Sequence, residues 1–537
     1  MVEIFQLQLH KSSAVPLYQQ LAEGIEGMIT DGVLLANSKL PPIRKTAEHF
    51  GVNSVTIVNA YKLLEKKQLV YSRVGSGTFV SPLPVEHIPE PVASRNLRSF
   101  ESGLSMENAI NFTSTSLPNE MFPVDAFKEA FNAVLDREKG GAFRYMDSMG
   151  YVPLREQLCR YLMNYGIKTS PENVQIISGA QQGIDIISKA MLRYGDVVFV
   201  EKPTFYGAAG AFLSRGGKLM EIPLEEDGMD MVILENFLKL YHPRFIYMMA
   251  YYQTPTGISY SMEKKRRLLE LAEKYDTYII EEDDFYDFHY DKEPIVPLKA
   301  LDYKNRVIYI KSFSKILMPG LRMGLIVLPK KIHQAVMEAK YTTDISTSGF
   351  IQRALEYYLR EFGWGEHAAQ ARRYGGEKYR KMLSAARKYL SDVAKYGQPN
   401  GGVSLWVELP VGVGAEALCS RMLEKNVILT PGSQYDISGE ENRHIRLSFL
   451  NLSDDKIEVG LKRIGDMISY TALTNGFQVP IIKSLLEKQK KVRKRRSTFW
   501  FGLSERGSLV GKPQQHRMEA VFSVSLVSSK EIGSAVE

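Results

Sequence analysis

The stretch Ser312-Phe313-Ser314-Lys315-Ile316-Leu317-Met318-Pro319-Gly320-Leu321-Arg322-Met323-Gly324 decides how this chain is read. It follows an apolar run with strand character, Arg306-Val307-Ile308-Tyr309-Ile310. A lysine at the mouth of a strand, with serines before it and an arginine after it, sets an amine among groups that bind an anion. Serine hydroxyls donate to phosphate oxygens, and arginine does so bidentately while staying charged. A lysine partly withdrawn from water loses basicity and can then form a Schiff base with an aldehyde. Clusters of Ser, Lys and Arg also occur on ordinary surfaces, so the neighbouring sequence has to arbitrate.

Working outward, residues 111–470 alternate apolar strands with helical runs. The strands include 174–177, 197–200, 244–249 and 277–280; helical spacing recurs over 182–193 and 262–274. That alternation predicts an α/β domain with a largely parallel sheet. In such sheets ligands sit beyond the carboxyl ends of the strands. Ser178-Gly179-Ala180-Gln181-Gln182-Gly183 opens a helix there, and free N–H groups at a helix start bind phosphate. Glu201-Lys202-Pro203-Thr204-Phe205-Tyr206 brings rings that can stack on a planar heterocycle. Tyr251-Tyr252-Gln253-Thr254-Pro255-Thr256-Gly257 follows the next strand, and Glu281-Glu282-Asp283-Asp284-Phe285-Tyr286 the one after. With Lys315, five strand-end loops carry groups suited to one phosphorylated aromatic aldehyde. Taken singly, Phe205 reads as core before it reads as a stacking partner, the acidic run also reads as a solvated turn, and Arg446 also reads as a salt-bridge partner.

The N-terminal end has another texture. Residues 16–34 space apolar side chains for a helix that Asp31-Gly32 closes. Pro41-Pro42 starts a second helix, Gly51 ends it, and Asn53 or Ser54 caps a third. Two short helices joined by a glycine turn predict a helix-turn-helix, and residues 69–73 and 78–80 around Gly75-Ser76-Gly77 predict a hairpin wing. Residues 82–108, rich in Ser, Pro, Glu and Arg, are expected to form a linker.

Composition excludes several classes. No apolar run reaches the roughly 18–20 residues needed to span a bilayer, and the N-terminus lacks a signal-peptide pattern. Two cysteines, Cys159 and Cys419, make neither a disulfide framework nor a metal cluster. A cytoplasmic location without membrane partners is expected. The net charge of +7 lies in the tail, where residues 481–537 carry 12 Lys+Arg against 5 Asp+Glu. That basic extension, 473–537, is expected to be poorly ordered.

Residues 15–81 resemble the winged helix-turn-helix of GntR-family bacterial regulators, through Leu40-Pro41-Pro42-x-Arg44, Gly51-Val52-Asn53-Ser54-x-Thr56 and Gly75-Ser76-Gly77-Thr78-Phe79-Val80. Residues 111–470 resemble fold-type I aminotransferases that use pyridoxal 5′-phosphate (PLP). The two in tandem match the layout of the MocR subfamily of transcriptional regulators. The resemblance implies a DNA-binding domain over 1–81, a linker over 82–108, a PLP-binding aminotransferase class I/II-like domain over 109–472 with a smaller α+β part, and the tail. It implies Lys315 as the Schiff-base (internal aldimine) lysine, Asp283 paired with the pyridine nitrogen and keeping it protonated, Tyr286 and Thr254 at the ring oxygen, and Phe205 stacked on the ring. Ala180, Gln181, Ser312, Ser314 and Arg322 would hold the phosphate, and Tyr145 would reach the phosphate site of the other subunit in a homodimer. Arg446 would clamp a carboxylate of an amino acid or amine effector. Arg44, Asn53, Ser54, Thr56, Arg73 and Gly75 would meet operator DNA. Two departures weigh against efficient transamination: Thr254 stands where the family has an asparagine, and Ser116 where it often has a glycine. A PLP-responsive regulator is therefore expected, with an active aminotransferase carrying a DNA-binding domain as the alternative.

Overall fold

The computed structural model describes residues 3–81, apart from 8, 11–12, 14, 31–32, 35–37, 68 and 74–76, and residues 109–474, apart from 291–295 and 440. The expected linker, Gly75 and the chain beyond 474 lie outside the described residues.

Three helices and a hairpin build the N-terminal body: α1 (Leu17–Thr30), α2 (Ile43–Phe50), α3 (Ser54–Lys66), β1 (Val70–Arg73) and β2 (Gly77–Val80). Leu21, Ile25 and Ile29 of α1 pack with Ile57, Ala60 and Leu64 of α3 in one core. α2 ends at Gly51, whose φ of +59° is a left-handed conformation that suits glycine. α3 is capped by Asn53, whose Oδ1 accepts the Val55 N–H at 2.9 Å. The Tyr61 hydroxyl donates to the Pro41 carbonyl at 2.9 Å and ties the Pro41-Pro42 entry of α2 to α3. β1 and β2 pair antiparallel, with Tyr71 stacked on Phe79 at 5.7 Å. The expected helix-turn-helix and wing are thus both present.

The large body begins with a short strand, β3 (Ile110–Asn111), and is organised around eight strands: β4 (Val174–Ile177), β5 (Val197–Lys202), β6 (Lys218–Glu225), β7 (Gly228–Met229), β8 (Phe245–Met248), β9 (Tyr278–Asp283), β10 (Val307–Ser312) and β11 (Gly324–Val327). Their order is β4-β11-β10-β9-β8-β5-β6-β7. β10, β9, β8, β5 and β6 run parallel, while β11 is antiparallel to both its neighbours. Helices cover both faces, so β8 and the apolar part of β9 and β10 are buried on both sides, which is why they read as continuous Ile/Val/Phe/Tyr runs. Ile184 and Ile187 of helix Ala180–Met191 pack on one face with Ile280, Ile308 and Ile310.

A second sheet has the order β12 (Lys395–Tyr396), β13 (Ser404–Glu408), β16 (His444–Ser448), β15 (Thr430–Pro431), and β14 (Val427–Ile428) pairs with β3. These strands form the smaller part of the body, and β16 carries Arg446. The closing helix runs Asp454–Thr474. No helix among the described residues is long and apolar enough to cross a membrane.

Candidate functional site

The hairpin from β10 to β11 folds Arg322 back onto the loop after β4, because β11 lies between those two strands. Arg322 is itself in the left-handed region, φ +51°. Its Nη2 donates to the Ser178 carbonyl at 3.0 Å and its Nη1 to the Ser314 hydroxyl at 3.2 Å. The Ser312 hydroxyl accepts the Ser314 N–H at 3.2 Å. Across from them, helix Ala180–Met191 starts at Gly179 with no side chain capping its first N–H groups. Gly179 adopts φ +86° and ψ 165°, and a Cβ there would stand 2.5 Å from Arg322 Nη2. Ala180, Gln181, Ser312, Ser314 and Arg322 are therefore neighbours, and their backbone N–H, hydroxyl and guanidinium donors are of the kind that binds anions. Gln181 spends its side-chain amide on the Gly207 carbonyl at 2.7 Å, so its backbone N–H is what remains for a ligand.

The acidic turn divides between the two faces of the sheet. Glu281 and Asp283 alternate with Glu282 along β9, as strand geometry requires. Asp283 Oδ1 accepts the Tyr286 N–H at 3.0 Å, and its Oδ2 accepts from the Tyr309 hydroxyl and from Lys311 Nζ at 3.1 Å. Glu282, on the other face, accepts from the Tyr247 hydroxyl. Burial pushes the Glu282 carboxyl up to about 8, and the neighbouring Asp284 adds to this. Burial also raises Asp284, against the attraction of Lys315 and, more weakly, Arg322. Asp284 Oδ1 is buried without a hydrogen-bond partner. Lys315 is half-buried on the turn after β10.

Glu201, at the end of β5, carries a testable consequence. It is wholly buried, and burial lifts its carboxyl to about 8 although Tyr260, Gln253 and the Met249 N–H all donate to it. Its folded pKa exceeds the ordinary value of 4.5, so the folded state holds this proton more tightly than the unfolded chain. Its stabilising contribution is complete below the unfolded pKa and is lost as pH rises through the folded one. The urea midpoint should fall between roughly pH 5 and pH 8, and Glu201→Gln should flatten that slope.

At the other end of the site, Arg446 on β16 donates from Nη2 to the Thr113 carbonyl at 2.9 Å. It is 8% exposed, its Nε is buried without a partner, and its guanidinium lies 5.5 Å from the Tyr435 ring centre. Phe205 precedes helix Tyr206–Ser214 and contacts Tyr206 at 5.0 Å between ring centres. Tyr286 packs its ring against Tyr165 at 4.0 Å and Tyr251 at 5.6 Å. Thr254 sits half-buried in the loop after β8. Tyr145 is 87% exposed.

On this geometry the comparisons with known proteins bear directly. The model of aminotransferases class I and II matches residues 107–464. The chain belongs to the aminotransferase class I and II family. The model of bacterial regulatory proteins of the gntR family matches residues 17–80. The chain is 28% identical to the HTH-type transcriptional regulator YdfD of Bacillus subtilis, over 86% of this chain and 98% of the relative. It is 27% identical to the probable rhizopine catabolism regulatory protein MocR of Rhizobium meliloti, over 88% of this chain and 98% of that protein. Among solved structures, the α-aminoadipate aminotransferase LysN of Thermus thermophilus, complexed with N-(5′-phosphopyridoxyl)-L-leucine, superposes with a TM-score of 0.66. It is 31% identical and spans 71% of this chain and 97% of its own. The tandem of a GntR helix-turn-helix and an aminotransferase body expected from the sequence is therefore correct, and its relatives include regulators of the MocR type.

Within the aminotransferase body, two features escaped the sequence reading. Lys311 is a buried lysine on β10 opposite Asp283, visible in sequence only as a charge interrupting an apolar run. Asp284, next to the expected Asp283, holds the orphaned oxygen. In the winged helix, Arg44 and Ser54 are exposed and Thr56 is half-buried. Asn53 commits its oxygen to the cap, which leaves only its amide donors for DNA. Val55, unremarked in the sequence, is 60% exposed on the first turn of α3, where an apolar side chain can meet a thymine methyl.

Proposed function

We propose that this chain is a DNA-binding regulator whose aminotransferase body holds PLP and responds to an amino compound. The observation that carries this reading is the anion cradle beside Lys315 in a chain that also has a folded winged helix. The residues present fit PLP. Arg322 lies so close to Gly179 that a Cβ there would collide with it, the helix start is uncapped, and Arg446 Nε and Asp284 Oδ1 are buried without partners.

In this reading the N–H groups of Ala180 and Gln181, the hydroxyls of Ser312 and Ser314, and Arg322 bind the phosphate. PLP, when bound, supplies an aldehyde that captures amines and a ring that withdraws electrons. Lys315 presents the amine that engages the aldehyde. Asp283 would pair with the ring nitrogen, Thr254 and Tyr286 would serve the ring oxygen, and Phe205 would stack on the ring. Arg446 binds the carboxylate of an arriving amino acid. Tyr145 extends to the other subunit of a homodimer, which suits its full exposure. Arg44, Ser54, Thr56, the Asn53 amide, Arg73 and the Gly75 wing meet operator DNA, two winged helices per dimer reading paired half-sites. Regulation follows only if the effector binds two arrangements of the protein unequally.

Footprinting of the full-length protein on DNA upstream of its own gene, alone, with PLP, and with PLP plus a panel of amino acids, tests this. Protection whose extent changes with PLP or with one amino acid is the expected result. Identical protection under all conditions would remove the sensing role. The structural likeness to LysN supports the alternative of a working aminotransferase. Sustained turnover when an amino acid and a 2-oxo acid are supplied together would favour it.

A further inference from the structure

Lys311 has no exposed surface and lies four residues before Lys315. The parallel register of β10 on β9 sets it opposite Asp283, on the same face of the sheet. Its ammonium is 3.1 Å from Asp283 Oδ2 and 2.9 Å from Asp287 Oδ2, with the rings of Tyr165 and Tyr286 at 5.6 and 5.8 Å. Burial opposes this charge, but Asp283 and Asp287 outweigh it and keep the ammonium. On its other oxygen Asp287 accepts from the Tyr165 hydroxyl at 2.6 Å and Trp364 Nε1 at 3.3 Å. Lys311 and Asp287 thus form a neutral pair whose positive end lies against Asp283. A carboxylate offers about four lone-pair sites. Asp283 uses three of them, for the Tyr286 N–H, the Tyr309 hydroxyl and Lys311.

We propose that Lys311 is a positioning residue that shares Asp283 with the ring nitrogen of PLP and keeps that nitrogen from full protonation. The inference rests on the assignment of Asp283 to the ring nitrogen made above. Two cations on one carboxylate repel each other, so the fixed ammonium lowers the basicity of the second. The phosphate cradle and Lys315 lie outside this pair, so capture of PLP is untouched. What weakens is the electron withdrawal that removes a proton from a captured amino acid. The pocket is thereby tuned to hold an amino compound rather than turn it over.

The test uses full-length protein loaded with PLP carrying ¹⁵N in its ring. The protein is wild type, Lys311→Met, or Lys311→Met combined with Asp287→Asn. The double variant removes one charge of each sign, so Asp287 is not left as a buried carboxylate without its cation. The ring ¹⁵N resonance should be that of an unprotonated nitrogen in wild type and of a protonated one in the double variant. The single-turnover rate with an amino acid should rise by roughly tenfold or more, the equivalent of one pKa unit. A protonated nitrogen in wild type overturns the proposal, whether or not either variant folds. Bound PLP with the same resonance in wild type and variants also overturns it, while leaving the regulator reading intact. Wild-type protein that binds no PLP sinks that reading, and this inference with it.

Discussion

Lys315→Ala should leave a protein that no longer forms a borohydride-stable adduct with PLP, while the wild type gains the mass of the reduced cofactor. The nearest lysine in sequence cannot substitute. Lys311 is wholly buried, clasped by Asp283 and Asp287, and held as an ammonium above the ordinary lysine pKa, so it has no free electron pair for an aldehyde. The turn itself should survive the change. Ile316 and Leu317 anchor it in the core, and the Leu317 N–H donates to the Phe313 carbonyl at 2.8 Å, none of which involves the Lys315 side chain. Asp284 and Glu282 lose the attraction of Lys315, so both buried carboxyls should hold their protons more tightly in the variant. DNA binding by the winged helix should persist, since its core is self-contained. Intact-mass measurement after borohydride treatment decides the matter, and an undiminished adduct on the variant would move the reactive amine elsewhere.

Gly179→Ala should cost the phosphate end most of its affinity although no charged residue is replaced. The added Cβ would stand 2.5 Å from Arg322 Nη2 and 3.1 Å from its Cζ, and the backbone there is in a region occupied almost only by glycine. Either the loop shifts or the guanidinium leaves, and the bonds to Ser178 and Ser314 leave with it. A charge-assisted contact to phosphate lost in this way is worth about 3 kcal/mol, a roughly 100-fold rise in the Kd for PLP. Equilibrium binding followed by the cofactor's absorbance would show it. Arg322→Lys should lose less, because it restores the charge though not the fork.

How much of this was legible beforehand depends on the range of the interactions. Helices, strands and the winged helix followed from local periodicity and from punctuation such as Gly51 and Pro41-Pro42, because those signals act within a few residues. The loops after β4 and β10 meet at Arg322, because β11 folds back between those two strands. Residues 281–284 were visible as an acidic cluster but not as two sets on two faces. That division depends on where β9 ends, and it ends at Asp283. Lys311 needed more still, because only the register between β9 and β10 reveals Asp283 as its neighbour. The capping role of Asn53 was one of two options in the sequence. The N–H of Val55 had to be placed before Asn53 could be preferred over Ser54.

The clamp on Arg322 has a consequence for where a signal can begin. Ser178 and Ser314 hold the guanidinium in place through protein atoms. A phosphate meets a finished surface, binds with little rearrangement, and leaves the fold much as it found it. Arg446, on an inner strand of the second sheet, is different, with one nitrogen tied to Thr113 and another buried without a partner. A molecule bearing a carboxylate would complete that end, whereas PLP alone would not. The message to DNA should then start with the amino acid, and a simple amine without a carboxylate should occupy the pocket in silence.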